Sequence, residues 1–305
     1  MSFVIGAALT NVDLLYLDMP RLPAPGEEIY TDKFSLQLGG GLPATLINLG
    51  RLGVSAKIVT ELGDDFFSRF AAEEFDNNNV KPLNLYSKGA IPVNITSAVV
   101  LKEDRSFISY GKGKMDDNEQ NALSFYKAAT GSKICLMTTD GFVDVYRRLK
   151  SEGTIMVLDT GWDDELSFEK FNELISLADY YAPNRPEALK ITGCSDVDEA
   201  LKVLKKRFRR AVIKLDKDGC LGADENGSFF VKSAKCFKNI DSTGAGDAFL
   251  AGFCYGLFYD YSLLDCIEFG NITGGKAVTA PGALAAYVTE NELLSLKKQI
   301  YLTGD

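Results

Sequence analysis

The sequence predicts an α/β protein with a three-layer αβα core, a mostly parallel sheet and a small β-sheet lid. Three observations lead there. From about residue 117 onward, short apolar runs alternate with amphipathic stretches, as expected of strands joined by crossover helices. A length of 305 residues suits one large domain, and 1–305 is read as a single unit. Two strand-rich patches, at about 14–38 and 92–111, interrupt the alternation, and pairing them gives the lid.

In chain order, 3–9 is an apolar run ending at Asn11-Val12-Asp13, which reads as a buried first strand with polar residues at its carboxyl end. Residues 14–38 are punctuated by Pro20, Pro23, Pro25 and Gly26, so they read as edge strands and turns. Gly39-Gly40-Gly41 leads into a helix at 42–52, closed by Gly53. A strand follows at 56–60, then a helix at 64–77 with Phe66, Phe67, Phe70 and Phe75 on its apolar side. The segments 93–101 and 106–110 form a hairpin around Lys102-Glu103-Asp104-Arg105. Helices are expected at 123–129, 143–151, 166–177 and 197–209, and strands at 134–138, 154–159, 180–182 and 211–215. A second hairpin joins 220–223 to 228–231, and 236–240 reads as one more strand. Helices at 244–258 and 263–278, a Pro281-Gly282 turn and a helix at 291–300 complete the chain.

Composition excludes several function classes. The net charge is −9, which disfavours nucleic acid as a partner because phosphate backbones need a basic surface. The basic cluster at 202–210 reads as a solvated helix face. Six cysteines show no C-x-x-C, so reduced, buried thiols in a cytoplasmic protein are expected. The first residues show no signal-peptide pattern, and no apolar run reaches membrane-spanning length, so no membrane partner is expected. There are no histidines, so a general base must be Asp, Glu, Lys, Tyr or Cys. No G-x-x-x-x-G-K-[ST] is present, and Gly244-Ala-Gly246 lacks the third glycine of a dinucleotide fingerprint.

The stretch Asp241-Ser-Thr-Gly-Ala-Gly-Asp247 draws the most attention. A Gly-Ala-Gly turn opening a helix leaves backbone N–H groups pointing one way, a ready anion site. Two bracketing carboxylates are then unexpected unless one takes a proton or works beside a cation. A plain helix start, with glycines for close packing and Asp for capping, is the alternative on these residues alone.

Taken with Gly39-Gly40-Gly41, Leu49-Gly-Arg-Leu-Gly53 and Asn184-Arg-Pro-Glu187, the stretch resembles the ribokinase-like (phosphofructokinase-B type) carbohydrate kinases across the whole chain. The resemblance implies an ATP-dependent kinase that phosphorylates a hydroxyl of a small sugar or related metabolite. It implies Asp247 as the base, and Gly244, Ala245 and Gly246 as N–H donors to the transferring phosphoryl. Asn184 and Glu187 are implied to organise magnesium and the phosphates through water, although taken alone they are better explained by a helix start with Asn184 as cap and Pro186 in the first turn.

A monovalent-cation loop, for an ion such as potassium, is implied for Asp241 and Thr243, with Ala277, Ala280, Gly282 and Ala286 as further candidates. Asn271 falls where the family places a polar residue beside adenine, and helix packing is its alternative. Lys214 is a candidate for the nucleotide phosphates, while Asp216 stands where many members have glycine.

The acceptor site is read from Asn11, Asp13, Gly40 and Gly41, with Asp140 and Arg105 as weaker candidates. Ala44 or Thr45 stands where many relatives place a sugar-binding Asn, so a ribokinase proper is not expected. A nucleoside kinase of the same fold, or a non-catalytic sugar or nucleotide sensor, are the competing readings. Exposed lid strands offer a surface for a homodimer.

Overall fold

The computed structural model describes residues 2–86, 88–101, 104–139 and 141–302. The core is built on β1 (Val4–Ala7), a strand buried on both sides. Next come β2 (Asn11–Leu17), β3 (Lys33–Leu38), α1 (Leu42–Arg51), β4 (Ala56–Thr60), α2 (Phe66–Asn77) and β5 (Val80–Asn84). They are followed by β6 (Asn94–Val100), β7 (Arg105–Tyr110), α3 (Glu119–Ala129), β8 (Ile134–Met137), α4 (Val143–Ser151) and β9 (Ile155–Leu158). The middle of the chain gives α5 (Asn172–Leu177), β10 (Tyr180–Tyr181), α6 (Arg185–Thr192), α7 (Val197–Lys205) and β11 (Ala211–Lys214). Last are β12 (Gly219–Asp224), β13 (Gly227–Lys232), α8 (Ala245–Phe258), α9 (Leu263–Ala277) and α10 (Glu290–Lys297).

Six strands form a parallel sheet in the order β10-β9-β8-β1-β4-β5. Their side chains alternate between two cores. Val4, Ile58, Leu136 and Val157 pack with α1, α2, α8 and α9. Ile5, Val59, Cys135, Met137, Met156 and Leu158 pack with α3 to α7 on the other face. A period of two, with both faces covered, is why these strands read as unbroken apolar runs. An antiparallel sheet, β11-β12-β13, continues from β10 through a parallel bridge between Asn184 and Lys214.

The two strand-rich patches meet in a separate sheet ordered β3-β2-β6-β7, with β2 and β6 parallel and the outer pairs antiparallel. One side of this sheet stays open to solvent, and there the ring of Tyr16 lies 5.4 Å from that of its cross-strand partner Phe34, tilted by 59°. Gln37 in β3 reaches the carbonyl of Pro281, 3.4 Å away, so the small sheet also touches the turn after α9.

Several elements differ from the sequence expectation. Residues 236–240 form no strand, because the N–H groups of Ile240 and Asp241 both bond the carbonyl of Val278 and hold the segment against the end of α9. The helix expected at 166–177 starts only at Asn172; Leu166 and Phe171 are buried from turns, so their apolar spacing does not require helix. The basic helix stops at Lys205. The strand β5 is an edge strand carrying Pro82, a residue that argues against strand unless it lies at an edge. Phe66 does not join the apolar side of α2; it is 59% exposed.

The longest packed pair is α8 against α9, and Gly252 allows it. A Cβ on Gly252 would lie 2.5 Å from the carbonyl oxygen of Phe269, a backbone atom that cannot swing away. Gly252→Ala is expected to destabilise the protein by about 1–3 kcal/mol, read as a melting temperature lower by several degrees in thermal denaturation. An unchanged melting temperature would contradict this packing.

Candidate functional site

In open parallel sheets, ligands collect beyond the carboxyl ends of the strands. Here the ends of β1, β8 and β9 deliver Ala8, Leu9, Thr138, Thr139, Asp159 and Thr160 to one cleft of ≈ 340 Å³. Gly40 and Gly41 from the start of α1 and Asp247 from the start of α8 close it. A second cleft, of ≈ 680 Å³, lies between β11–β13 and α8–α9, and includes Asn184, Lys214, Gly246 and Asn271. Gly246 faces the larger cleft and Asp247 the smaller, so the first turn of α8 is the wall between them.

Both helices at this junction begin the same way. Gly41 (φ 84°) and Gly244 (φ 74°) stand at the starts of α1 and α8, and neither helix has a side-chain cap. Positive φ is costly for residues with a Cβ, and uncapped first turns leave N–H groups free for other acceptors. Gly244 is pressed further by the other side of the loop, where a Cβ would lie 2.6 Å from Cα of Ala283. The N–H of Gly41 donates to Oδ2 of Asp247 at 2.7 Å. A Cβ on Gly40 would lie 2.8 Å from the same oxygen, so only glycine admits the carboxylate there. The hydroxyl of Thr45 bonds the carbonyl of Asp247 at 3.2 Å, which fastens α1 to α8 a second time.

Asp247 is half-buried, and burial pushes its carboxyl up to about 7. The charge of Asp159 adds to that shift, while the Gly41 N–H and the charge of Lys214 oppose it. Asp241 behaves oppositely. Burial works against its ionisation, but the Gly282 N–H, the Thr243 hydroxyl and N–H, and the charge of Arg105 outweigh burial and hold it below the usual carboxylate range. Gly282 donates to Oδ2 of Asp241 at 2.8 Å, so this carboxylate joins the loop before α8 to the turn after α9. Ala277 ends α9, and Ala280 and Ala286 flank the same turn.

Arg105, the first residue of β7, donates to Oδ1 of Asp241 at 2.9 Å and to the hydroxyl of Thr243. It thus ties the small sheet to the loop before α8 and does not line the smaller cleft. Asp13 on β2 has no hydrogen-bond partner among the described residues, and burial pushes its carboxyl up to about 6. It lies beside Gly39, where a Cβ would fall 2.8 Å from Oδ1 of Asp13. Asn11 lines the smaller cleft with Asn94, its register partner on β6. Asp140 lies outside the described residues.

In the larger cleft, Asn184 and Glu187 form a capping box at the start of α6: Glu187 N–H donates to Oδ1 of Asn184 at 2.9 Å, and Asn184 N–H to Oε2 of Glu187 at 2.8 Å. Burial raises the Glu187 carboxyl, partly offset by Lys214 and by Asn184. The amide of Asn271 is engaged on both sides, accepting from Cys220 at 3.2 Å and donating to the carbonyl of Lys232 at 3.1 Å. Lys214 makes no ion pair among the described residues. Asp216 has φ 52°, in the left-handed region that favours glycine and that Asp tolerates. Sequence reasoning missed Asn94, Asp159 and the threonines of the smaller cleft. Their only local signal is position directly at or after a strand end. Among the described residues, no group of three or more His, Cys, Asp or Glu side chains converges to hold a metal ion, and no helix is long and apolar enough to cross a membrane.

Two clefts thus meet at one uncapped helix start. The family model for pfkB family carbohydrate kinases matches residues 1–290. The chain is 26% identical to a ribokinase of Staphylococcus aureus over 91% of this chain and 93% of that protein. It is 23% identical to a 2-dehydro-3-deoxygluconokinase of Bacillus subtilis, over 86% and 87%. The solved structure of an Arabidopsis thaliana ribokinase complexed with ribose and ATP has the same fold, with a TM-score of 0.80, 21% identity and coverage of 98% and 99%. The chain therefore belongs to the pfkB family of carbohydrate kinases.

Arg105→Ala is expected to loosen the small sheet from the loop before α8. Hydrogen exchange at 94–110 and 241–243 is expected to speed up about two- to fivefold, the scale of one partly exposed ion pair. Unchanged exchange in both segments would rule out the tether.

Proposed function

We propose that the protein transfers the γ-phosphate of ATP to a hydroxyl of a small sugar or sugar-like metabolite, with Asp247 as general base. One observation carries this reading: α8 presents Gly246 to the larger cleft and Asp247 to the smaller. ATP occupies the larger cleft and the acceptor the smaller, so the reacting hydroxyl and the γ-phosphate meet at the start of α8. The N–H groups of Gly244 and Gly246 stabilise charge developing on the phosphoryl oxygens, joined by that of Ala245 once it leaves the carbonyl of Ser242, to which it donates at 3.3 Å. Lys214 adds a cation on the nucleotide side. Asp247 takes the proton of the attacking hydroxyl, for which its position against Gly41 sets the angle.

Bound with the nucleotide, magnesium would neutralise phosphate charge, with Asn184 and Glu187 as the residues that would hold its waters. The residues present fit that arrangement, because no cluster of carboxylates forms a dedicated cage among the described residues and magnesium keeps most of its waters. Asn184 and Glu187 hold each other in the capping box and leave further lone pairs for magnesium-bound water. Asn271 packs the wall beside the base rather than pairing with it, since its amide is already engaged. A monovalent cation such as potassium fits between the two loops joined by Asp241. Among the described residues, the carbonyls of Asp241, Thr243, Ala277, Ala280, Gly282 and Ala286 accept no backbone hydrogen bond outside helices. That of Ala277 loses its helical partner because Pro281 has no N–H. The small sheet acts as a lid that keeps water from the phosphoryl group. Its face carrying Tyr16, Phe34 and Ile108 is the surface for a homodimer.

Asp247→Asn is expected to fold normally and to lose about 10²–10⁴ in kcat, measured as ADP release with saturating acceptor. Near-parental turnover would sink the assignment. The pH dependence follows from the raised carboxyl. The base works only when ionised, so kcat/KM rises with pH and levels off above about 7. Stability runs the other way: the folded chain holds this proton between the ordinary value of 3.8 and about 7, so Asp247 costs stability as pH rises through that window. Asp247→Asn removes the cost, and above pH 7 its melting temperature should equal or exceed that of the parent. Omitting potassium and ammonium should lower kcat; no response to either would remove the cation from the scheme.

A further inference from the structure

The charges around the smaller cleft narrow the acceptor further. Only two of its described lining residues are ionisable, Asp159 and Asp247, and both are acids. Lysine and arginine are absent from the described lining. Lys112 and Lys114 flank the lining Gly113, and neither lines the cleft. Lys112 pairs with Glu61 at 2.6 Å, Arg105 pairs with Asp241, and Lys214 lies across α8 in the other cleft. The polar groups that remain suit hydroxyls. The side-chain amide of Asn11 and the Nδ2 of Asn94 have no partner among the described residues, whereas Oδ1 of Asn94 is held by the N–H of Lys112 at 3.0 Å. Asp159 keeps one oxygen on the N–H of Gly161 at 3.0 Å and leaves the other open.

We propose that the acceptor is an uncharged polyol, a neutral sugar or nucleoside, and that Asp159 is the residue that turns sugar acids and sugar phosphates away. This rests on the reading that Asp247 faces the acceptor. A hydroxyl donates to the open carboxylate oxygen of Asp159 and accepts from an Asn amide, so a neutral ring satisfies both kinds of partner. An ionised carboxylate or phosphate cannot donate. It would sit in a partly desolvated cleft beside two negative charges, with no lysine or arginine in the described lining and Lys214 acting on Asp247 only from across α8. Asp13, unpartnered behind Gly39, adds a third negative charge once ionised. The cleft therefore selects by repulsion as well as by fit.

The test uses the full chain with magnesium and ATP against matched pairs: D-ribose with D-ribonate, and D-fructose with 2-keto-D-gluconate, with inosine and 2-keto-3-deoxy-D-gluconate added. Coupled ADP release gives kcat/KM, and calorimetry gives affinity without turnover. The best neutral compound should exceed every acid by at least about 100-fold in kcat/KM. Asp159→Asn, which keeps an oxygen for Gly161, should narrow the gap about tenfold by lowering KM for the acids. Added salt should also lower KM for the acids and leave the neutral compounds unmoved. An acid used as well as its neutral partner, or a gap unmoved by Asp159→Asn, overturns the proposal. If no compound releases ADP, the phosphotransfer reading fails instead. Calorimetry then still decides the charge preference: tighter binding of the neutral partner supports it, and tighter binding of the acid overturns it.

Discussion

The N–H of Gly41 and the carboxylate of Asp247 meet at 2.7 Å, and the geometry of both clefts depends on that contact. It joins the starts of α1 and α8, two helices whose first turns lack side-chain caps. Each helix start carries partial positive charge, and a carboxylate shared between them is held where both fields favour it. The glycines are required by shape. Gly40 leaves room for the carboxylate, and Gly244 takes a backbone angle and an approach to Ala283 that a side chain would block. Burial then works against the ionisation that the helix starts favour, and the carboxyl ends near neutral pH.

The two aspartates of the same loop illustrate how position divides labour. Asp241 is surrounded by donors from three elements, so its charge is fixed and it serves as a fastener between β7, the loop before α8 and the turn after α9. Asp247 receives one backbone donor and faces Asp159, so its charge is easily lost and regained. A carboxylate that is fully satisfied makes a poor base, and one that is barely satisfied makes a poor anchor.

Much of the fold was legible because parallel strands buried on both faces leave continuous apolar runs, and 56–60 and 143–151 coincide with β4 and α4. The glycine-rich starts of α1 and α8 were legible for a different reason: positive φ and close approach both demand glycine. Other features had no local signal. Asp159, Asn94 and Thr138 come together only because β9 and β8 end, and β6 begins, at one place, and strand order is not written in any single window. The pair Arg105–Asp241 spans 136 positions. Leu166 and Phe171 misled because turns can bury apolar residues at helical spacing. Asn184 and Glu187 were read two ways, and the capping box realises the structural one without consuming every lone pair.

The contact between Gly41 and Asp247 closes a loop of 206 positions. Closing so long a loop costs entropy that local contacts cannot repay early, so it belongs late in folding. Synthesis runs from the N-terminus, and α1 is therefore made long before α8 exists to meet it. Until then the glycines of α1 have no carboxylate to receive, and the smaller cleft lacks the wall that α8 supplies. A growing chain therefore carries the strand ends of the cleft before it carries the cleft. The cleft is completed in one step, when α8 closes against α1.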